Sequence, residues 1–287
     1  GTFFAILGGT IAGMLIATSH GAHSIAVLIV LIALGAWGAS RAIPAIEPSA
    51  PGARVEVNFI AATGRLIAQA RRETTRFRSI LGISWFWLVG ATYLSQFPTY
   101  VRNYLRAEEP VVTLFLTVFS VGIGAGSLLG SRILKGRISA HIVPWGALGI
   151  ALCSLDLWLA SPPHETAAGG ALATVSEFLR SPGHWRILAD LLGIAVAGGV
   201  FALPLYALLQ TAGDERRRAR AIGANNVVNA AAMVLSAIAV IGLLAIGISV
   251  PGLFLLTGLA TLPVAGLFWR LRAVLVPRPV LVPGEAE

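Results

Sequence analysis

Residues 111–133 read VVTLFLTVFSVGIGAGSLLGSRI, and this stretch carries no charged side chain before Arg132. A helix needs about 20 apolar residues to cross the roughly 30 Å hydrocarbon core of a bilayer, so the stretch is long enough to span it. Lipid offers no hydrogen-bond partner to an open backbone, and the alternating pattern of a barrel strand is absent. The stretch therefore predicts a transmembrane helix.

Similar apolar stretches lie on both sides of this one. Of the 287 residues, 56% are hydrophobic and 12% are charged, about half the charge of an ordinary soluble domain, which excludes a soluble protein. The chain is predicted to be an all-α, polytopic membrane bundle with eight spans, at 3–19, 24–43, 80–100, 111–133, 142–161, 186–210, 221–247 and 250–269.

The basic residues divide unequally between the two sides of this topology. Seventeen of the 21 fall on one side, and only Arg102, Arg106, Arg180 and Arg186 fall on the other. Because cytoplasmic loops are enriched in Lys and Arg, both ends of the chain are expected in the cytoplasm.

The spans group as two and then six, with a charged connection between them. Residues 1–43 are expected to be the last two helices of a first bundle, 79–272 a six-helix second bundle, and 273–287 a proline-rich tail or linker. The connection, 44–78, begins with a flexible joint and continues as an amphipathic interfacial helix over 54–78, with Phe59, Leu66, Ala70 and Phe77 on one face and Arg65, Gln69, Arg72 and Arg76 on another. Two six-span bundles joined in this way are typical of secondary transporters, so four further spans are expected upstream of Gly1.

Three glycines, Gly122, Gly126 and Gly130, recur every four residues along the fourth span. This small-xxx-small spacing predicts close packing against a neighbouring helix. The short loop that follows carries Arg132, Lys135 and Arg137. These residues could anchor the cytoplasmic side or act as a gate that pairs with acids.

Two acids lie near the outward ends of spans, Asp156 in the fifth and Asp190 in the sixth. A charge near the membrane interface costs little, so pairing with Arg102 or Arg186 would explain them. The alternative is a functional role for these two acids in proton coupling or as an outer gate.

The richest polar grouping lies in the third, sixth and seventh spans. Uncharged side chains in apolar segments need partners, and these could be neighbouring helices or a bound ligand. The candidates for contact with a polar headgroup are Tyr93, Gln96, Tyr206, Gln210, Asn225, Asn226 and Asn229.

No catalytic motif is present. The sole lysine is Lys135, which excludes a Walker A motif, and the sole cysteine, Cys153, excludes a disulfide or a thiolate cage. His20 and His23 are three residues apart, but they lack further ligands for a metal. We expect no enzyme activity in this chain, and no cofactor, metal or nucleic acid.

Five strings resemble one transporter family, the lysophospholipid transporter branch of the major facilitator superfamily, and in particular the form fused to a glycerophospholipid acyltransferase. They are GISWFWLVGATYLSQFPTY, EEPVVTLFLTVFSVGIGAGSLL, VPWGALGIALCSLDLWLA, GGVFALPLYALLQ and RRRARAIGANNVVNAAAMV. The basic loop at 130–137 is also similar to the degenerate loop motif of that superfamily, with Ser131 near the place of its usual Asp.

The resemblance implies a transporter of the bacterial inner membrane that moves lysophospholipid, chiefly lysophosphatidylethanolamine, from the outer to the inner leaflet. A fused or associated acyltransferase would then restore the second chain. Two alternatives remain open, a major facilitator carrier for a small solute or drug and a membrane anchor for a fused acyltransferase.

Overall fold

The computed structural model describes residues 21–42, 59–135, 137–163, 171–211 and 218–271. These residues form helices and short connections, apart from one isolated bridge between Ala107 and Ala173. The helices are α1 (Gly21–Arg41), α2 (Phe59–Arg72), α3 (Thr74–Asn103), α4 (Glu109–Leu134), α5 (Val143–Ala160), α6 (Val175–Arg180), α7 (Pro182–Thr211), α8 (Arg218–Ala245) and α9 (Val250–Leu271).

Among the described residues, six helices are long and apolar enough to cross a membrane, and they match the second to seventh predicted spans. They are α1 from His23, α3, α4, α5, α7 and α8. In α9 the apolar stretch, Val250–Val264, is shorter. The first predicted span, 3–19, lies outside the described residues, as do 43–58 and the tail after Leu271.

The chain divides into two compact units, Gly1–Phe59 and Ile60–Glu287. In the first unit, α1 exposes most of its side chains, and its last turn is held by Ser40 Oγ, which donates to the carbonyl of Trp37. The guanidinium of Arg41 lies 4.5 Å from the Trp37 ring centroid, a cation–π contact.

In the second unit, the long helices α3, α4, α5, α7, α8 and α9 pack together, and their pairings repeat. The tightest contacts join α4 to α7, α5 to α9, α5 to α7 and α3 to α8, with α3 also touching α7 and α9. Suppose that α3 corresponds to α7, α4 to α8 and α5 to α9. The contact between α4 and α7 then corresponds to that between α8 and α3, and the contact between α5 and α7 corresponds to that between α9 and α3. The packing thus has the pattern of an internal three-plus-three repeat.

The repeat extends to local sequence features. The first helices of the two halves, α3 and α7, are both 30 residues long, and each contains one proline in its last third, Pro98 and Pro204. Proline removes a backbone hydrogen bond within a helix, which membrane helices tolerate when neighbours compensate.

The core of the bundle is aromatic. The Tyr93 ring stacks on Phe254 with centroids 4.4 Å apart. Phe97 packs edge-on against both rings, and Phe115 and Phe119 pack edge-on against Phe97. All but Phe119 are fully buried. This cluster fastens α3, α4 and α9 together.

The amphipathic helix differs from the prediction in its end and in one of its faces. It ends at Arg72, the backbone bends at Glu73, and α3 begins at Thr74. Residues 74–78 therefore belong to the spanning helix. Arg76, predicted on the polar face, is instead 2% exposed and paired with Glu73. The face predicted for Arg76 was wrong because a single continuous helix was assumed across the interruption at Glu73.

Candidate functional site

Polar side chains join α3 and α8 along their contact. Ser84 Oγ donates to Asn229 Oδ1 at 2.7 Å, and Thr92 Oγ1 lies 2.8 Å from Ser236 Oγ. The partners are eight residues apart on α3 and seven on α8, in the same order, so the two helices run parallel. We call Ser84, Thr92, Asn225, Asn229 and Ser236 the polar seam.

Asn225 is the member of the polar seam without a partner for its oxygen. It lies one turn before Asn229, on the same face of α8, and its residue is 3% exposed. Its Oδ1 is buried and accepts no hydrogen bond from the described residues. A buried acceptor left unpaired costs about 1–3 kcal/mol, so this oxygen is a ready acceptor for a donor that enters the seam.

The two candidates on α3 lie in different surroundings. Gln96 is buried one turn beyond Thr92, and its Nε2 reaches Ser95 Oγ at 3.4 Å. Tyr93 points into the aromatic core, where its hydroxyl lies 2.8 Å from Ser154 Oγ and 3.2 Å from the Phe254 carbonyl. Gln96 therefore extends the face of the polar seam, whereas Tyr93 packs inside the bundle.

The remaining amide and phenol candidates lie nearer the surface. Tyr206 on α7 accepts a hydrogen bond from Trp87 Nε1 at 2.8 Å, at an exposed place between α3 and α7. Gln210 and Asn226 are exposed. These three residues are not brought together with Asn225 and Asn229 by any hydrogen bond among the described residues.

Three of the four glycines of α4, Gly122, Gly126 and Gly130, face α7. A Cβ added at Gly126 would come within 2.0 Å of the Val196 carbonyl oxygen, and one added at Gly122 within 2.6 Å of the Ala195 Cβ. Gly199 of α7 meets α4 in the same way, 2.4 Å from the Ile123 carbonyl oxygen. Gly130 is looser, with the Leu203 side chain 3.2 Å away. The α4–α7 contact thus has backbone against backbone, and we call it the glycine seam.

The basic residues of the loop after α4 are exposed. Lys135 ends the helix in the left-handed region, with φ of 50°, and its N–H reaches the carbonyls of Ser131 and Arg132. Neither Arg132, Lys135 nor Arg137 forms an ion pair within the part of the chain that the structure describes. Their gating role stays a prediction.

The two acids meet at one end of the bundle. Asp156 on α5 forms a two-pronged ion pair with Arg186 on α7, through Nε at 3.0 Å and Nη2 at 2.5 Å. Asp190, one turn further along α7, is 7% exposed, and its buried Oδ2 has no hydrogen-bond partner among the described residues. The Arg186 pairing allowed by the sequence is present, and Arg102 does not take part.

Sequence reasoning missed three members of the polar seam, namely Ser84, Thr92 and Ser236. A hydroxyl in an apolar helix is a weak signal, because it can bond to a carbonyl of its own helix, as Thr92 does with Leu88. The detectable signal was the shared spacing of polar residues on two helices, eight residues on α3 and seven on α8.

The polar seam can donate and accept hydrogen bonds, and its five side chains are uncharged. Such a set suits binding of a neutral or dipolar group. Among the described residues, no three His, Cys, Asp or Glu are grouped to hold a metal ion. The features define a class: the chain is a multi-pass helical membrane protein with a polar contact inside its bundle.

Comparison with known proteins narrows that class. The chain is 30% identical over 234 residues to the lysophospholipid transporter LplT of Serratia proteamaculans (strain 568). The match covers 79% of this chain and 50% of that protein, so the chain spans about half the length of the curated relative it matches. No family model matches the chain, and no solved structure matches it significantly.

Proposed function

We propose that the chain is part of a secondary transporter that moves lysophospholipid, of the lysophosphatidylethanolamine kind, from the outer to the inner leaflet of a bacterial inner membrane. The observation that carries the proposal is the buried, unpartnered Oδ1 of Asn225 on α8, one turn from the Ser84–Asn229 bond, in a chain that is similar to a lysophospholipid transporter. We place the polar seam at the headgroup site.

The three-plus-three packing of α3 to α5 and α7 to α9 supports a transporter of the major facilitator type. In such transporters the substrate site lies near the bilayer midplane, and one bundle rocks against another. The described bundle would supply one side of that site.

The chemistry of the polar seam suits the headgroup of a single-chain phospholipid. The Asn225 oxygen can accept from the ammonium of ethanolamine or from the free hydroxyl of the glycerol, while the acyl chain stays in lipid. The seam is closed in this structure, since Ser84 and Asn229 are 4% and 9% exposed. Opening it would break the Ser84–Asn229 and Thr92–Ser236 bonds, and interhelical bonds in membranes contribute only about 0.6 kcal/mol each on average.

Replacing Asn225 with Leu tests the proposal, because it removes the amide and keeps the number and branching of the heavy atoms. We expect uptake of fluorescent lysophosphatidylethanolamine into spheroplasts to fall by about tenfold or more, as a lost charge-assisted hydrogen bond would produce. The same change should raise the free energy of unfolding by about 1 kcal/mol, since an unpaired buried oxygen is removed. Loss of transport with a gain of stability separates a binding role from a folding role.

Asn103→Leu is the matched control, since Asn103 is exposed at the end of α3, away from the polar seam. Normal lipid uptake by Asn225→Leu would contradict the proposal. Two further readouts separate the rival functions. A carrier for a small solute would leave the leaflet distribution of lysophospholipid unchanged, and a mere anchor would keep lipid repair in both variants.

An associated acyltransferase is a further part of the proposal. It predicts that imported lysophospholipid is converted to the two-chain lipid inside spheroplasts, and that Asn225→Leu lowers import and conversion together. If lysophospholipid were still converted to the two-chain lipid when its import had stopped, the acyltransferase would be using lysophospholipid from another source.

A further inference from the structure

One acid inside the bundle has an oxygen without a hydrogen-bond donor. Asp190 lies about two turns into α7 and is 7% exposed. Its Oδ2 is enclosed and accepts no hydrogen bond from the described residues. Acids in protein interiors are almost always paired, because an ionised carboxylate loses its hydration on burial. Asp190 therefore lacks the donors that a buried negative charge requires.

The ionisable groups that face Asp190 come from three helices. They are Asp156 and Cys153 on α5, Tyr93 and Tyr100 on α3, and Arg186 on α7 itself. Of the other helices packed on α7, α4 and α8 have no ionisable residue over 111–131 and 221–245. On α6, Glu177 and Arg180 are exposed.

The cation beside Asp190 is already used by the other acid. Arg186 donates to both carboxyl oxygens of Asp156, from Nε to Oδ2 and from Nη2 to Oδ1. If both acids were ionised, two carboxylates would share one guanidinium, and one of the two charges would be buried. Neighbouring carboxyl groups avoid that state when one of them holds a proton. Asp156 is partly exposed and keeps the ion pair, so the proton belongs on Asp190.

The hydroxyl groups near Asp190 use their protons elsewhere. Tyr93 and Tyr100 lie 2.8 and 2.7 Å from the hydroxyls of Ser154 and Ser161 on α5. Each serine donates to a carbonyl of its own helix, so each tyrosine is the donor to its serine or, for Tyr93, to the carbonyl of Phe254. These hydroxyls therefore do not stabilise an ionised Asp190.

We infer that Asp190 is a proton-binding site and that α5 and α7 pack as in this structure with its carboxyl neutral. The proton is taken from water and is returned to water when the contact becomes hydrated, because hydration stabilises the carboxylate. Proton binding and packing are therefore linked. The stabilisation is fully present at low pH and is lost as the pH rises.

Infrared spectroscopy of the whole protein in detergent tests for this proton directly. The C=O stretch of a neutral carboxyl lies apart from the bands of carboxylates and of the peptide backbone, and it shifts in D2O. At about pH 6, where an exposed Asp is ionised, we expect the unchanged protein to show this band and Asp190→Asn to lack it. Glu109→Gln is the matched control, since it removes an exposed carboxyl at the start of α4 and should keep the band.

Changes to the ion pair should move the pH at which the band disappears in opposite directions. Arg186→Gln leaves the charge of Asp156 uncompensated, so Asp190 should keep its proton to a pH about one unit higher. Asp156→Asn frees Arg186 for Asp190, so the proton should be lost at a pH about one unit lower. These two variants keep the test informative if Asp190→Asn folds poorly.

Thermal unfolding gives an independent measurement. The unfolding midpoint of the unchanged protein should fall more steeply than that of Asp190→Asn as the pH rises from about 5 to about 9, because the variant has no proton to lose at this position.

Four outcomes would overturn the inference. Absence of the band at about pH 6 would show that Asp190 is ionised. A band that persists in Asp190→Asn would assign the proton to another acid. Shifts of the same sign in Arg186→Gln and Asp156→Asn would exclude an electrostatic link between these groups and Asp190. Equal slopes of the unfolding midpoint would show that packing is not linked to this proton. None of these readouts depends on transport, so the proposed function is tested separately.

Discussion

The glycine seam and the polar seam are equivalent contacts between the two halves of the bundle, yet they are built differently. In the glycine seam, α4 and α7 meet backbone to backbone at Gly126 and Gly199. In the polar seam, α3 and α8 meet through side-chain hydrogen bonds and one unpaired amide oxygen. The glycine seam is stabilised by the close approach of its two helices. The polar seam keeps buried polar groups that a bound molecule can contact.

The difference shows that two equivalent helix contacts in a repeated fold can have different roles. Small residues maximise packing between membrane helices, where there is no hydrophobic drive to associate. Polar residues give weaker and more replaceable contacts. We therefore expect the glycine seam to hold the bundle together and the polar seam to open.

The largest effect is expected from a side chain placed in the glycine seam. Gly126→Ala puts a methyl group against the backbone of Val196, which cannot move aside as a flexible side chain could. We expect the free energy of unfolding to fall by about 3 kcal/mol, the upper part of the usual range for overpacking. Unfolding in mixed detergent measures it.

Gly124→Ala is the matched control for that change. Gly124 is on the same helix, and nothing lies within 4 Å of an added Cβ. Its free energy of unfolding should be unchanged or higher by about 0.5 kcal/mol, because alanine favours helix over glycine. Equal losses from the two variants would mean that glycine spacing does not hold α4 to α7.

A smaller effect is expected from the Ser84–Asn229 bond of the polar seam. Ser84→Ala leaves the Asn229 oxygen unpaired and should lower the free energy of unfolding by about 1 kcal/mol. A double-mutant cycle with Asn229→Ala should give a coupling near 0.6 kcal/mol, the average for interhelical bonds in a membrane protein. A coupling above 2 kcal/mol would contradict the idea that this seam opens easily.

The ion pair between α5 and α7 should contribute less to the free energy of unfolding, and replacing its acid or its base should have unequal effects. Asp156 and Arg186 are partly exposed, so the pair itself contributes at most about 1 kcal/mol. Arg186→Gln removes the cation and leaves two acids, Asp156 and Asp190, at this end of the bundle, whereas Asp156→Asn removes one of the two acids. We therefore expect the first change to lower the unfolding midpoint more than the second, and the reverse order would show that repulsion between the two acids is not significant.

The smallest effect concerns the cap of α6, the short helix that packs on α4 and α7 beside the glycine seam. The Thr174 backbone N–H, and then its hydroxyl, donates to Glu177 and lowers the pKa of that carboxyl below its usual value. A lowered pKa gives stabilisation that is present above the unfolded-state pKa and is lost as the pH falls through the folded-state pKa.

The cap should therefore loosen only in acid, below about pH 4.3, the ordinary pKa of Glu. Trp185, whose indole donates to the Leu179 carbonyl of α6, can report this by fluorescence. Glu177→Gln should remove the acid-dependent change, and persistence of the change in that variant would assign it to another group.

The sequence predicted the helices well, because length and apolar composition alone determine which segments can cross a bilayer. The spacing of Gly122, Gly126 and Gly130 also predicted a shared face, since four residues make about one turn. The partner helix could not be read from spacing, and neither could the direction in which Tyr93 points. Arg76 was misplaced because a break of a single residue, Glu73, shifts every later residue to a new face.

The spacing of the two buried amides of α8 equals about one helical turn. Asn225 and Asn229 are four residues apart, about 6 Å along the axis, and so share a face of the helix. A slide of α8 by one turn would offer Ser84 the amide of Asn225 in place of that of Asn229, but it would also bring Ala232 opposite Thr92 in place of Ser236. Such a stroke would therefore keep one hydrogen bond of the polar seam and lose the other.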